Sequence, residues 1–425
     1  MAYTPATVVE VRAWGRTVGA VSGTPGDYTF EYAPEWRRGG LELSPLLMPR
    51  GRRGLFRFPR LGRETFYGLP PMLADALPDR FGNSVIDAWM ATQGISRADL
   101  TPLDRLTYIG SRAMGALEFV PDTGPGMPDP TALDLAELTE AARAVVAGTL
   151  GTEHEARSAL AQIISVGTSA GGARPKAVVN IDDATGVITP GHDLPGPGEQ
   201  AWLLKFDGVG ADHQLGQSQR YTRIEYAYSN MARAAGIDFP ETRLLPENGR
   251  AHFLTRRFDR VAGRRIHMQS LCGLAAVDFN LIATNDYAQL FTAIDDLGLG
   301  ADARTEAFRR MTFNVAAANH DDHSKNTAFL LPEGGAWSLA PAFDMTYAHD
   351  AASAWLDQHL MGVSGKFSDI DRRDLMAVAD RFAIPGARAA IQAVNDAIDD
   401  WGRFALDAGL GAADIDAIAA DFRAL

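Results

Sequence analysis

Asn319-His320-Asp321-Asp322-His323-Ser324-Lys325-Asn326 is the stretch of sequence that most restricts the choice of fold. Its Asp321 and Asn326 have the spacing of the aspartate and asparagine in the H-R-D-x-x-x-x-N loop of phosphoryl-transfer enzymes. That chemistry needs a carboxylate to accept a hydroxyl proton and, nearby, an amide oxygen to hold a metal ion. Asp344, in Phe343-Asp344-Met345, lies eighteen residues after Asn326 and follows a predicted hairpin. In a kinase, a carboxylate that holds a second Mg²⁺ is expected at this place. The three residues in this order indicate a kinase-like phosphotransferase.

Upstream, a lysine interrupts an apolar strand in Trp202-Leu203-Leu204-Lys205-Phe206. A lysine inside a strand is costly unless it reaches solvent or meets an anion. In a kinase the anion is the nucleotide phosphate, and the lysine also pairs with a helix glutamate. Glu225, on the next predicted helix, and Glu241 are both candidates for that partner.

A glycine-rich segment, residues 167–176, precedes this strand and reads GTSAGGARPK. Glycines let backbone amides approach phosphate oxygens closely, and Arg174 and Lys176 add positive charge. The segment is not a Walker P-loop, because G-x-x-x-x-G-K-[ST] is absent. Lysine is rare in the chain, and three of its four lysines fall in these motifs; the four are Lys176, Lys205, Lys325 and Lys366.

Two other enzyme classes are compatible with parts of the pattern. A hydrolytic metal site is the first; its ligands would be His320, His323, Asp321, Asp322 and Asp344. That interpretation leaves Lys205 and the glycine-rich segment unexplained and gives Asn326 no role. A serine hydrolase centred on Ser169 is the second, but no G-x-S-x-G elbow surrounds this serine.

The order of predicted elements indicates three regions. Alternating strands over 7–34, helical periodicity over 70–94 and a strand at 114–122 predict a β-rich N-terminal subdomain, residues 1–125. A Pro/Gly-rich boundary at 122–130 follows. Residues 131–262 are predicted to form a nucleotide-binding lobe, and 263–425 a mainly helical lobe with the catalytic loop. The expected fold class is α+β.

Composition excludes several protein classes. The chain has 425 residues, is 46% hydrophobic and 22% charged, and carries a net charge of −13. This balance is that of a globular protein and argues against one that coats nucleic acid or a membrane. Cys272 is the single cysteine, so an internal disulfide framework is excluded. The first fifteen residues lack the basic stub and apolar core that are typical of a signal peptide, and no apolar run is long enough to span a membrane. We therefore expect a cytoplasmic protein without membrane contact.

Arginine is concentrated in one short stretch of the N-terminal region. Its six arginines are interleaved with Phe56 and Phe58; they are Arg50, Arg52, Arg53, Arg57, Arg60 and Arg63. Such a cluster suits a nucleic acid or an acidic partner. It is also typical of a solvated loop, and the sequence leaves both interpretations open.

Together these segments resemble the HipA family of protein kinases, the toxins of HipBA-type toxin–antitoxin modules. The resemblance runs along nearly the whole chain and rests on these segments: YAPEW (32–36), LPDRFG (77–82), DRLTYIGSRAMGALEF (104–119), SAGGARPK (169–176), LLKFD (203–207), RRFDR (256–260), NHDDHSKN (319–326) and AFDM (342–345). It implies a protein-kinase-like bilobal fold preceded by the β-rich subdomain, and Mg²⁺ and ATP as cofactors.

The resemblance also implies a role for particular residues. Asp321 would be the catalytic base, Asn326 and Asp344 would hold Mg²⁺, and Ser169 would be the autophosphorylated serine that silences the kinase. The ATP-contacting set would comprise Gly171, Gly172, Ala173, Arg174, Pro175, Lys176, Lys205, Arg256, Arg257, Phe258, His323, Ser324, Lys325, Asn326, Phe343 and Asp344. Two positions depart from the family pattern: Arg256 stands where an acidic residue is common, and no glycine follows Asp344.

The implied function is a Ser/Thr protein kinase toxin that phosphorylates an aminoacyl-tRNA synthetase, such as the glutamyl enzyme, and so arrests growth or promotes persistence. Its partners would be that synthetase and a small helix-turn-helix antitoxin, with DNA contacted only through the antitoxin. A small-molecule phosphotransferase and a catalytically silent antitoxin-binding co-repressor are the alternatives. The sequence does not identify the substrate.

Overall fold

The computed structural model describes residues 3–125, 133–147, 163, 174–192, 194–209 and 220–425. These form two compact units. The first contains Met1–Gln219, Leu245–Met268 and Leu331–Gly335, and the second contains Arg220–Leu244, Gln269–Leu330 and Ala336–Leu425. Both contain helices and strands.

The first unit begins with the predicted meander. Its strands are β1 (Val8–Ala13), β2 (Arg16–Thr24), β3 (Asp27–Tyr32) and β4 (Leu117–Val120). The sheet order is β3-β2-β1-β4, and all neighbours are antiparallel. Alternate residues of β1 and β3 are buried, as period-two apolar patterning requires. The predicted closing strand therefore pairs with the first strand of the chain.

A second sheet in this unit carries the strand lysine. It has the order β6-β5-β7-β9-β8, formed by β5 (Lys176–Asp182), β6 (Ile188–Pro190), β7 (Glu199–Lys205), β8 (Thr242–Glu247) and β9 (Arg250–Arg256). β5 pairs antiparallel with β6 and β7, and β7 pairs antiparallel with β9. Residues of β5 are buried along nearly their whole length, which marks it as a central strand.

The helices of the first unit are mostly short. They are Pro34–Gly39, Arg63–Phe66, Pro71–Ala74, Arg80–Thr92, Pro102–Ile109 and Leu135–Ala147, with a 3₁₀ turn at Arg97–Asp99. The core between the second sheet and these helices contains Trp202, Leu204, Val85 and Tyr108. Because Trp202 and Leu204 point inward, their neighbour Leu203 points to the other face.

The second unit is mainly helical. Its helices are Tyr221–Ala234, Leu271–Ala275, Tyr287–Asp296, Gly300–Ala316, Arg372–Arg381, Ala387–Asp399, Trp401–Asp407 and Ala412–Ala419, with a 3₁₀ turn at Ser324–Asn326. Among the remaining short strands, β10 (Arg260–Val261) and β11 (Arg264–Arg265) belong to the first unit. The others are β12 (His267–Ser270), β13 (Asn285–Asp286), β14 (Ala328–Leu331), β15 (Ser338–Leu339) and β16 (Met361–Gly362). Gly236, with φ of +80°, follows the helix Tyr221–Ala234, as predicted.

An aromatic cluster fixes the second unit around the end of the helix Gly300–Ala316. Tyr228 is fully buried and packs edge-on against Phe313 and Trp401. Its hydroxyl donates to the carbonyl of Ala317 at 2.7 Å. Buried aromatic side chains of this kind each contribute about 1.5–3 kcal/mol through loss of exposed apolar area. The cluster therefore anchors the segment that leads into residues 319–326.

Among the described residues, no helix is both long enough and apolar enough to cross a membrane.

Candidate active site

The catalytic-loop segment 319–326 lies between the helix Gly300–Ala316 and strand β14. Backbone hydrogen bonds hold its start in place: the amide of His320 donates to Ala348, and the amide of Ala348 donates to Ala318. The amide of Leu360 donates to the carbonyl of His320 at 3.3 Å. The segment is therefore anchored to residues that lie about 30–40 positions further along the chain.

Asp321 is held in a defined orientation and remains accessible. The indole Nε1 of Trp355 donates to its Oδ1 at 2.8 Å, and the Asp321 side chain is 40% exposed. Its Oδ2 has no hydrogen bond to any residue that the structure describes. One carboxylate oxygen is thus positioned by Trp355, and the other can accept a proton.

The amide of Asn326 is oriented by the same loop. Its Nδ2 donates to the backbone carbonyl of Asp321 at 2.8 Å, so its Oδ1 is directed away from that carbonyl. An amide oxygen of this kind is a suitable ligand for a hard cation such as Mg²⁺. Asp321 and Asn326, five positions apart, are therefore in direct hydrogen-bond contact.

Asp322, next to the predicted base, has a structural role. Its buried carboxylate accepts from the hydroxyl of Tyr287 at 2.9 Å and from Nδ1 of His359 at 3.1 Å. The backbone amides of Leu360 and Met361 donate to its Oδ1 at 2.8 and 3.2 Å. Burial, together with Asp322, raises the pKa of Tyr287 well above its ordinary value, so the phenol keeps its proton. All of these donors serve to hold the loop.

The network continues to the first residue of the motif. Asn314 donates through Nδ2 to the Tyr287 hydroxyl at 2.8 Å, and Asn319 donates through Nδ2 to Oδ1 of Asn314 at 2.9 Å. Asn319 is 2% exposed. Asn319 and Asp322 therefore fix the backbone that presents Asp321.

Replacement of Asp322 by alanine is expected to lower the free energy of unfolding by about 3–5 kcal/mol, because four donors lose their buried acceptor. Urea denaturation with linear extrapolation measures this change. The matched control is Asp357→Ala, at an exposed position near the loop, where a change within about 0.5 kcal/mol is expected. Equal destabilisation of the two variants would contradict the structural role of Asp322.

The hydrolytic metal alternative loses support from these contacts. Within the described ranges, no group of three or more His, Cys, Asp or Glu side chains is arranged to hold a metal ion. Burial, with His359 nearby, lowers the pKa of His320 to about 4, so the ring is neutral at pH 7. Its Nδ1 donates to the carbonyl of Leu356 at 2.8 Å. His320 and Asp322 are thus engaged in holding the loop.

The rest of the motif contacts Phe279 and the adjoining loop. The rings of His323 and Phe279 are 5.4 Å apart, and the ammonium of Lys325 lies 5.2 Å from the Phe279 ring centre. The Ser324 hydroxyl is buried and donates to the carbonyl of Val277 at 2.6 Å. Nucleotide contact by residues 323–326 remains a prediction.

Asp344 adopts an unusual backbone conformation. Its φ is +52°, in the left-handed region that few residues other than glycine occupy. Such conformations persist where surrounding structure imposes them, and they are concentrated at functional sites. Asp344 and Phe343 are both partly buried, so neither belongs to the hydrophobic core. The prediction that Asp344 holds Mg²⁺ is untested.

In the first unit, the sheet register places two predicted phosphate-binding lysines opposite each other. Lys176 of β5 pairs with Lys205 of β7, so the two side chains project from the same face. They are 4% and 8% exposed, and Lys205 Nζ lies 6.0 Å from the centre of the Phe253 ring. Two buried ammonium groups on one sheet face suit a polyanion such as a nucleotide phosphate chain.

Parts of the predicted phosphate loop fall outside the described residues; these are Ser169, Gly171, Gly172 and Ala173. Arg174 and Pro175 are described, and the carbonyl of Pro175 accepts from the amide of Phe206 at 3.2 Å. The loop therefore enters β5 beside the end of β7.

The predicted adenine-contacting residues differ in their surroundings. Arg256 is exposed and its guanidinium donates to the side chain of Gln200. Arg257 is buried, and its guanidinium makes a two-point ion pair with Asp259 at 2.8 and 2.9 Å. Burial alone would raise the pKa of Asp259, but Arg257 and Arg260 hold it well below its usual range. The Arg257 side chain thus has a structural role, and adenine contact by Arg256, Arg257 and Phe258 stays a prediction.

Glu225 and Glu241 both remain predicted partners of Lys205. Glu225 is 2% exposed on the helix Tyr221–Ala234. Glu241 is more exposed and forms an ion pair with Arg243 at 2.7 Å.

Two family models match the chain. One, described as the HipA-like C-terminal domain, covers residues 168–401, and the other, described as the HipA N-terminal domain, covers residues 9–120. The chain belongs to the HipA family. The two HipA models include the loop 319–326, both buried lysines and the N-terminal sheet.

Solved structures give the fold. A chain of the toxin–antitoxin complex of HipA, HipB and operator DNA from Shewanella oneidensis MR-1 is 17% identical and superposes with a TM-score of 0.65, covering 97% of this chain and 94% of that chain. The α+β, kinase-like fold of HipA type predicted from the sequence is confirmed. The proinflammatory kinase CtkA of Helicobacter pylori reaches a TM-score of 0.34 at 13% identity, over 52% of this chain and 88% of that chain, which is too low to support any inference. No curated protein matches the sequence significantly.

Proposed function

We propose that this HipA-family chain is a Mg²⁺- and ATP-dependent Ser/Thr protein kinase that acts as the toxin of a toxin–antitoxin module. The observation that carries the proposal is the paired orientation of Asp321 and Asn326. Trp355 fixes one oxygen of the carboxylate, the other oxygen stays open, and the carbonyl of Asp321 fixes the Asn326 amide. This arrangement suits a residue that receives the proton of a substrate hydroxyl beside a site for a hard cation.

The residues named for the proposed reaction have distinct tasks in it. Asp321 orients the acceptor hydroxyl and takes up its proton at the open Oδ2. The side-chain oxygens of Asn326 and Asp344 are the chemical type that holds Mg²⁺, and the two buried lysines, Lys176 and Lys205, suit nucleotide phosphates. When bound, ATP would supply the phosphoryl group, and Mg²⁺ would neutralise negative charge that develops on it.

The proposed regulation and partners are those that the HipA resemblance implies. Ser169 is proposed as the site of autophosphorylation, which would repel nucleotide from a loop that receives phosphates. The structure from Shewanella contains HipB and operator DNA beside HipA. We infer a HipB-like helix-turn-helix antitoxin for this chain, an aminoacyl-tRNA synthetase as its substrate, and action in the cytoplasm.

Incubation of the purified chain with radiolabelled ATP, Mg²⁺ and a panel of aminoacyl-tRNA synthetases tests the proposal. We expect label on one synthetase and, by mass spectrometry, phosphate on Ser169. A parallel incubation adds an aminoglycoside, and label on it but on no protein would favour a small-molecule phosphotransferase. No label on any acceptor, with antitoxin binding intact, would favour the catalytically silent co-repressor.

Trp355→Phe is expected to lower kcat about 10- to 100-fold, because loss of a hydrogen bond to a charged group costs about 1.5–3 kcal/mol. The KM for ATP should change less than kcat, since the lost hydrogen bond goes to Asp321. The Trp355 ring also packs edge-on against His323, a predicted nucleotide ligand, and phenylalanine keeps an aromatic ring at that position. Steady-state kinetics on the labelled substrate measure both constants. Trp89→Phe in the first unit is the matched control, and a shift in KM with constant kcat would contradict a positioning role for Trp355.

A further inference from the structure

The arginine loop, residues 50–63, is the most strongly charged surface segment that the proposed kinase activity leaves unused. Six of its fourteen residues are arginine and none is acidic, whereas the whole chain has a net charge of −13. Arg52, Arg53, Arg60 and Arg63 are exposed. None of these four has an acidic partner among the residues that the structure describes.

The loop is anchored to the N-terminal sheet. Phe56 exchanges two backbone hydrogen bonds with Phe30 of β3, at 2.8 and 3.0 Å. Arg57 forms an ion pair with Asp27, and Arg50 forms one with Glu42 at 3.2 Å. Two of the six arginines thus fix the loop, and the other four are presented on a backbone with reduced freedom. Preorganisation of this kind lowers the entropic cost of binding a partner.

We propose that the arginine loop binds the phosphate backbone of duplex DNA. Guanidinium groups match phosphate geometry through two parallel hydrogen bonds, and unpaired arginines on a surface are attracted to a polyanion. This contact would be made by the chain itself, in addition to any contact made through an antitoxin.

The surroundings of the loop favour a duplex over other polyanions. Binding of single strands relies on exposed aromatic rings that stack with bases. Here Phe56 is 3% exposed and is covered by Arg52, and Phe58 is half-buried. A protein partner would need an apolar centre to its interface. Leu55, 62% exposed, is the one large apolar side chain of the loop that is strongly exposed.

Fluorescence anisotropy with a labelled duplex, at a series of salt concentrations, tests the proposal on the full chain. The test variant replaces the four unpaired arginines by glutamine (R52Q/R53Q/R60Q/R63Q). The control variant makes the same change of charge at four exposed arginines elsewhere (R264Q/R373Q/R381Q/R388Q). We expect at least a tenfold loss of affinity in the test variant and little loss in the control. The slope of log affinity against log salt should fall by about 3–4 in the test variant.

The proposal would be overturned by no binding of duplex by the wild-type chain at low salt, by equal losses in the two quadruple variants, or by tighter binding of polyglutamate than of duplex. Preference for a single strand of the same sequence would also contradict it. Leu55→Ser should leave duplex affinity unchanged, and a large loss there would contradict binding through the arginine guanidinium groups. Melting temperatures of all variants exclude loss of fold, and Asp321→Asn should bind duplex normally.

Discussion

Asp321→Asn is expected to reduce phosphoryl transfer by about 10²–10⁴-fold, the contribution typical of a positioned general base. Asparagine keeps the volume of the side chain and an oxygen that can accept from Trp355 Nε1. It removes the open carboxylate oxygen that would take up the proton. Because Asp321 is 40% exposed, the substitution leaves no buried charge unpaired, and stability should change by no more than about 0.5 kcal/mol.

Initial rates with radiolabelled ATP, alongside thermal melts, measure these effects. Asp357→Asn is the matched control, since it makes the same chemical change at an exposed carboxylate in the same region of the chain. Full activity in a folded Asp321→Asn protein would refute the assignment of Asp321 as the base. A similar loss in Asp357→Asn would show that the effect is not specific to the loop.

Lys205→Met is expected to weaken Mg·ATP binding or turnover by at least about 30-fold, since loss of one partner of a desolvated charge contact costs about 2–5 kcal/mol or more. Methionine preserves most of the packing of the lysine stem. The change also removes one of two ammonium groups that share a sheet face. Melting temperatures measured without nucleotide separate a role in binding from a role in folding.

Lys366→Met is the control for this prediction. Lys366 is 49% exposed and pairs with Asp374 at 2.8 Å on the surface of the second unit, away from every motif. Calorimetric titration with Mg·ATP, paired with turnover, compares the two variants. An equal loss of Mg·ATP binding or turnover in the two variants would mean that burial and strand register do not identify a lysine that binds nucleotide.

The sequence was sufficient to predict the family, the fold class and the order of the main elements. Period-two patterning predicts β1, β2 and β3, and the helical period of residues 222–237 together with Gly236 predicts the helix Tyr221–Ala234 and its end. The link between Asp321 and Asn326 was also predictable, because both lie in one short loop whose spacing limits their separation. These features depend on interactions among residues close in the chain.

Contacts between distant residues were not predictable. Trp355 lies 34 positions from Asp321, and no periodic pattern or motif marks it; a tryptophan in a largely polar segment was the one available signal. Asp322 was grouped with possible metal ligands, yet its carboxylate accepts from Tyr287 and His359, 35 and 37 positions away. The predicted and observed roles of Asp322 differ because a carboxylate can either bind a metal or anchor a loop. The residues that surround it in space determine which of the two roles it has.

The sequence by itself therefore determined which residues carry the proposed chemistry, since local spacing and apolar periodicity are properties of neighbouring residues. The tertiary structure decided how those residues are held. It placed Lys176 opposite Lys205 through the register of β5 and β7, and it committed Arg257 to an ion pair with Asp259. Strand register and burial depend on how whole elements pack, and that packing is a sum over many distant contacts that no single segment encodes.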